Sequence, residues 1–191
     1  MCVSKDKRWI ATADSGEESM IVVWDSLKAA PVKIITQPYP EGIAAMDMSA
    51  DAMFLATLSA GYPQQVAIWE WTVPTKDAAI TADIGPDHEY QHCVRFNPVD
   101  VRDIVSNGEK QVIFWNWTEE ALTAFHPPRG ISKLKKAVGV LTETVFIPYT
   151  TKAVTATMNG SVVLWDYPVS ELVHSSARDA IKILKYVYYC Y

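Results

Sequence analysis

Residues 21–25 read Ile21-Val22-Val23-Trp24-Asp25, and the same pattern returns three times. Val66-Ala67-Ile68-Trp69-Glu70 is the second copy, Val112-Ile113-Phe114-Trp115-Asn116 the third and Val163-Leu164-Trp165-Asp166 the fourth. The four tryptophans stand 45, 46 and 50 residues apart. Each copy is an unbroken apolar run where a strand with one wet face would alternate, so each predicts a strand buried on both faces. The acidic or amide residue after each tryptophan marks the end of the run.

A period of about 40–45 residues around a Trp-Asp strand identifies propeller repeats, each of which contributes four strands. Blades stacked face to face around an axis bury their inner strands on both sides. The sequence therefore predicts an all-β, WD40-type β-propeller of about four four-stranded blades, forming part of a larger propeller. The repeats fall at about 1–41, 42–85, 86–126 and 142–187, with a loop insertion at 127–141.

About half of the 191 residues are apolar and a fifth are charged, which is ordinary globular composition. No run approaches the roughly 18 apolar residues of a membrane span, and the opening Met-Cys-Val-Ser-Lys-Asp-Lys-Arg has no apolar core of secretory type. Three unpatterned cysteines, Cys2, Cys93 and Cys190, suit a reducing compartment. A net charge of −5 argues against general nucleic-acid binding.

The repeats also align outside the motif. Met1 to Asp6 matches Met46 to Asp51, and Trp9-Ile10-Ala11-Thr12 matches Phe54-Leu55-Ala56-Thr57, both at an offset of 45. The first repeat has no counterpart of Gly42 to Ala45, so its opening strand reads as cut. Ser4-Lys5-Asp6, Ser49-Ala50-Asp51 and Asn97-Pro98-Val99-Asp100 place short hydrogen-bonding side chains where the first strand turns into the second. Asp14 to Glu18 and Met158 to Ser161 read as the next turn. Residues 31–36, 78–84 and 122–125 read as outer fourth strands, and the last strand begins at Ile181.

Few residues suggest chemistry. His88, His92 and Cys93 lie close together, yet a zinc site needs a second ligand pair, and the chain offers none at suitable spacing. No metal, cofactor or catalytic set is predicted. His88, before the first strand of its blade, is expected to bond Ser106 or Asn107 and the Trp115 indole. Lys133, Lys135 and Lys136 form either a solvated loop or a contact for an acidic surface such as a tubulin tail. Trp71 and Trp117 share a strand face with the motif tryptophans. They serve either as partner anchors or as inter-blade core.

Cys2 to Asp14, with Val22-Val23-Trp24-Asp25-Ser26, resembles the first propeller of the WD-repeat family of cilia- and flagella-associated protein 251. Ile68 to Thr72, Phe96-Asn97-Pro98, Val105-Ser106-Asn107 and Thr155 to Asp166 follow in the family's order, so the similarity runs to about Tyr167. It implies a non-catalytic scaffold of the ciliary axoneme, in the calmodulin- and spoke-associated complex at the radial spoke base on doublet microtubules. Its partners would be other axonemal proteins and tubulin, with no nucleic acid and no membrane. The loop at 127–141 and the tail after Ala180 match the family poorly, and the family's calmodulin-like end has no counterpart here.

Two other readings share the fold: a peptide-binding adaptor of a cytosolic signalling or ubiquitin complex, and a ligand-binding or enzymatic propeller using His88, His92 and Cys93. An arc of four blades is expected to expose apolar faces around Ile10, Val22 and Trp24 at one end and around Val163 and Trp165 at the other. Further blades or a partner chain would complete it.

Overall fold

The apolar run before each motif tryptophan becomes the third strand of a four-stranded antiparallel sheet. The computed structural model describes residues 1–127, 138–167 and 177–184, and among them there are four such sheets. Blade 1 comprises β1 (Cys2–Val3), β2 (Trp9–Ala13), β3 (Met20–Asp25) and β4 (Ala30–Thr36). Blade 2 comprises β5 (Ile43–Met48), β6 (Phe54–Ser59), β7 (Gln65–Glu70) and β8 (Ile80–Asp83). Blade 3 comprises β9 (Cys93–Phe96), β10 (Asp103–Asn107), β11 (Val112–Trp117) and β12 (Leu122–Phe125). Blade 4 comprises β13 (Leu141–Phe146), β14 (Ala153–Thr157), β15 (Val162–Asp166) and β16 (Asp179–Leu184). Each sheet is a meander, and the first strands β1, β5, β9 and β13 meet in chain order. This is the predicted propeller architecture.

Strand periodicity decides which way each blade faces. Ala11, Ile21 and Val23 of blade 1 pack with Leu55, Ala67 and Trp69 of blade 2. The opposite face of blade 2, through Ala56, Val66 and Ile68, packs on Val94, Ile104 and Trp115. Val105, Val112 and Phe114 then meet Trp165. Each motif tryptophan from blade 2 onward thus faces the preceding blade.

That rule corrects the expected open face of blade 4. Val163 and Trp165 are 0% exposed because they point at blade 3. The outward side carries the alternate residues, with Val145, Ile181 and Leu184 exposed. At blade 1 the expectation holds in part: Trp24 and Ile10 are half-buried and Val22 is buried, while Val3, Met20, Val32 and Ile34 on and beside that face are exposed. Val32 and Ile181 are equivalent bulged residues, where the register slips beside Trp24 and Trp165.

The turns repeat in atomic detail. In blade 1, Ser4 Oγ donates to Asp6 and accepts the Trp9 N–H at 2.9 Å, while Asp6 Oδ1 accepts the Arg8 N–H at 3.1 Å. In blade 2, Ser49 and Asp51 receive the Phe54 and Met53 N–H groups at the same 2.9 and 3.1 Å. Lys7 and Ala52 hold equivalent left-handed positions, with φ of 62° and 60°.

Blade 1 opens on a shortened strand, as the sequence predicts, and several other boundaries differ from the sequence reading. The opening strand of blade 1 exists as two residues, paired Cys2 to Ala11 and Val3 to Ile10. Asp25, Glu70 and Asp166 end their strands, but Asn116 does not, because the apolar Trp117 carries β11 one residue further. Core resumes inside the supposed insertion, since Val138 and Leu141 are buried and Leu141 opens β13. The last strand starts two residues early, at Asp179. Lys133, Lys135 and Lys136 and the aromatic tail at 185–191 lie outside the described residues.

Candidate functional site

Each motif tryptophan places its indole N–H on a hydroxyl of the neighbouring second strand. Trp24 donates to Thr12 Oγ1 at 2.9 Å, Trp69 to Thr57 Oγ1 at 2.8 Å, Trp115 to Ser106 Oγ at 3.0 Å and Trp165 to Thr155 Oγ1 at 2.7 Å. A third group completes the bond in blades 2 to 4. Tyr39 OH meets Thr57 at 2.8 Å, Ser106 donates to Gln91 Oε1 at 2.9 Å, and Thr144 meets Thr155 at 2.7 Å. Burial drives the Tyr39 hydroxyl well above its usual range, so it stays neutral.

Gln91 therefore stands where His88 was expected. Its side-chain amide accepts from Ser106 and donates through Nε2 to the Glu89 carbonyl at 3.0 Å, and its backbone makes the further bonds. Gln91 N–H donates to Gln64 Oε1 at 2.7 Å, and Gln64 Nε2 returns bonds to the Gln91 and Ser59 carbonyls at 2.8 and 2.9 Å. Both glutamines are buried, and together they tie blade 2 to blade 3. His88 instead stacks on His126, with ring centroids 4.3 Å apart, and its Nδ1 meets Gln111 Nε2 at 2.9 Å.

Trp71 and Trp117 are 7% and 3% exposed and form part of the inter-blade core. Trp71 packs edge-on against Trp9 at 5.3 Å, and Trp117 packs edge-on against Phe54 at 5.0 Å. Trp9 and Phe54 both open the second strand of the preceding blade, so these are equivalent locks. At the third interface Asp103 occupies that position, opposite Asn116 as Trp9 is opposite Asp25. Arg178, 5% exposed, joins the two blades there. Its guanidinium takes both Asp103 oxygens at 3.2 and 2.6 Å, its Nε donates to the Thr151 carbonyl at 2.7 Å, and Phe114, Phe146 and Tyr167 surround it at about 5 Å.

The other motif residues are absorbed by structure as well. Asp25 Oδ1 caps the Leu27 and Lys28 N–H groups, and its other oxygen lies 3.6 Å from Arg8. Asp166 binds Lys152 and Thr151, Glu70 ends β7 half-buried, and Asn116 is exposed. On the inner strands, Arg95 pairs with Glu143 and lies 3.9 Å from Asp47, which crosses three blades with one charged row. Burial raises the Asp47 carboxyl, opposed by the Phe96 N–H it accepts and by Arg95.

The three residues of the alternative metal reading do not converge. His92 Nε2 meets the Thr142 carbonyl at 3.0 Å, His88 lies against His126, and Cys93 is buried with its thiol raised by burial. Among the described residues no group of three His, Cys, Asp or Glu side chains comes together to hold an ion. Cys2 is a second thiol raised by burial and by Asp47, to about 12, so it is a poor nucleophile.

A sequence profile described as the CFAP251 N-terminal domain matches residues 1–187. The chain belongs to this family. Cilia- and flagella-associated protein 251 of Pongo abelii is 39% identical over 170 residues, covering 87% of this chain and 15% of the relative. The Chlamydomonas reinhardtii protein of that name is 34% identical over 202 residues, covering 95% and 25%. The chain thus spans a quarter or less of the length of these relatives. Echinoderm microtubule-associated protein-like 4 of Homo sapiens is 28% identical over 104 residues, covering 53% of the chain and 10% of that protein. Among solved structures, the β-propeller domain of Myceliophteria thermophila Cps50 (Swd1) superposes with a TM-score of 0.69 at 14% identity, over 94% of this chain and 55% of that one. That likeness concerns fold alone.

Sequence reasoning missed Gln64, Gln91, Asp103 and Arg178. Tyr39 and Gln91 had a weak signal, since each lies shortly before a first strand. Arg178 had none, because its role depends on Asp103, 75 residues earlier.

Proposed function

We propose that this domain is a non-catalytic WD-repeat scaffold of motile cilia, joining proteins at the radial spoke base on axonemal doublet microtubules. The observation that carries the reading is the family match across residues 1–187. The geometry supports it, because the repeated tryptophans, hydroxyls and acids are spent on packing between blades and on bonds within them, and leave turns and edges for partners. On this reading the partners are other axonemal proteins, including those of the calmodulin- and spoke-associated complex. Tubulin is included, since a relative is by name microtubule-associated and Lys133, Lys135 and Lys136 suit an acidic tail.

The test is fractionation and crosslinking of isolated cilia from cells expressing the tagged full-length protein. The scaffold reading expects the protein in the salt-resistant axonemal fraction, crosslinked to radial spoke components. Recovery in the cytosol with signalling or ubiquitin components would overturn it in favour of the adaptor reading.

A further inference from the structure

A cleft of ≈ 750 Å³ opens between blades 3 and 4, at the propeller end that carries the first-to-second-strand turns. The other two interfaces are closed at this end by the Trp9–Trp71 and Phe54–Trp117 edge-to-face pairs. Here Asp103 replaces the first aromatic ring and Tyr167 stands near the place of the second, bridged by Arg178. The polar bridge fills only the inner part of the space, and a cleft remains outside it.

Its lining has two chemistries. Phe114, Phe125, Tyr149 and Tyr167 supply rings, and Asn97, Asn116 and Asp100 supply polar groups. Tyr149 is 85% exposed at the rim and Val99 beside it is exposed too. Water-facing rings bordering a cleft are a mark of recognition surfaces.

The charges do not balance. Asp103 is neutralised by Arg178 and Asp166 by Lys152. Asp100 shares this region, since all three carboxylates act on the Tyr167 hydroxyl, which burial raises and Arg178 lowers. Yet among the described residues the only hydrogen bond to the Asp100 carboxylate is from the Arg102 N–H, at 3.0 Å, and no cation pairs with it. Among the described residues this exposed carboxylate, which lines the same cleft as the rings, lacks a counterion.

The chain itself shows which group such surroundings hold. Arg178 sits among three rings with its charge on Asp103, and Arg8 lies 4.6 Å over Trp9 with its charge toward Asp25. We propose that the cleft binds an arginine side chain presented by a partner protein, with its guanidinium paired to Asp100 and stacked on Tyr149. Its apolar stem lies over Phe125, and the exposed Asn116 amide oxygen accepts a remaining N–H group. A planar guanidinium can use rings and acceptors together, whereas an ammonium is a strongly hydrated point charge.

The inference rests on the scaffold reading for the existence of a partner, but its test uses the purified chain alone. Nine-residue fluorescent peptides differing only at a central Arg, Lys or citrulline are titrated against residues 1–191, with binding read as anisotropy. The arginine peptide is expected to saturate, the citrulline peptide to bind at least about tenfold more weakly, and Asp100→Asn to cost about tenfold. Asp100→Asn keeps an oxygen for the Arg102 N–H, so an unchanged melting curve separates lost binding from lost fold. Tyr149→Ala, at an exposed rim, should weaken arginine binding several-fold. Equal binding of arginine and citrulline, or of arginine and lysine, overturns the proposal, as does an Asp100→Asn chain that binds like the wild type. No saturation by the arginine peptide on a folded chain also overturns it and leaves the axonemal fractionation result untouched.

Discussion

Arg178 holds Asp103 through both terminal nitrogens of its guanidinium, at 2.6 and 3.2 Å, although 75 residues separate them. Both side chains are nearly removed from water, at 6% and 13% exposure. Removing one partner of a buried pair leaves the other charge stranded. Arg178→Ala should therefore cost about 3–5 kcal/mol in urea unfolding. Asp103→Ala should cost a similar amount, and the double variant much less than their sum. Additive losses would show that the pair does not lock blades 3 and 4.

Gln91, not His88, completes the Trp115–Ser106 bond. Gln91→Leu strands the Ser106 hydroxyl in a buried site, at a cost of about 1–3 kcal/mol, while the Gln64 amide keeps its bonds to the Gln91 backbone. His88→Ala removes a ring stacked on exposed His126 and should cost less than 1 kcal/mol. Chemical denaturation of the two variants ranks them, and the reverse order would restore His88 to the expected role.

The two lock tryptophans differ in one bond. Trp117 Nε1 donates to the Val101 carbonyl at 2.7 Å, whereas the buried Trp71 Nε1 has no acceptor among the described residues. Trp117→Phe should lose about 1 kcal/mol more than Trp71→Phe, because only the first breaks a made hydrogen bond. Paired melts of the two variants test this.

Asp166 sets an acid limit. Partial burial alone would raise its carboxyl, but Lys152, Thr151 and the Tyr167 N–H outweigh burial and hold it below the ordinary 3.8. The folded state then binds this proton less readily than the unfolded state. The contribution is fully present above the ordinary carboxylate range and is lost as pH falls through the lowered value. Asp166→Asn should lower the melting temperature at neutral pH and make it less steeply dependent on pH below about 4. Parallel curves for the two proteins would rule the contribution out.

Much of the fold was readable because the determining interactions are local and repeated. The apolar runs at Ile21 to Trp24 and its three copies specify strands, the 45-residue offset specifies blades, and Ser4–Asp6 and Ser49–Asp51 specify turns through side chains two residues apart. Period 2 also fixed that one face of each third strand carries the tryptophan. Which neighbour that face meets was not readable: alternation gives two faces, and only stacking shows that Trp165 points at blade 3 while Leu164 points away.

The interface chemistry belongs to the tertiary structure for a related reason. Gln91 and His88 lie three residues apart before the same strand, and either has the groups to accept from Ser106. Closure of the β8–β9 segment onto Gln64 selects the glutamine. Arg178 and Asp103 are ordinary charges in sequence, and Asp100 differs from them in having no cation folded against it among the described residues. Strands, turns and repeat count follow from residues within reach of each other along the chain. Burial, ion pairing and the cleft between blades 3 and 4 arise only once distant segments share a surface, because solvent exclusion and charge compensation are properties of neighbours in space.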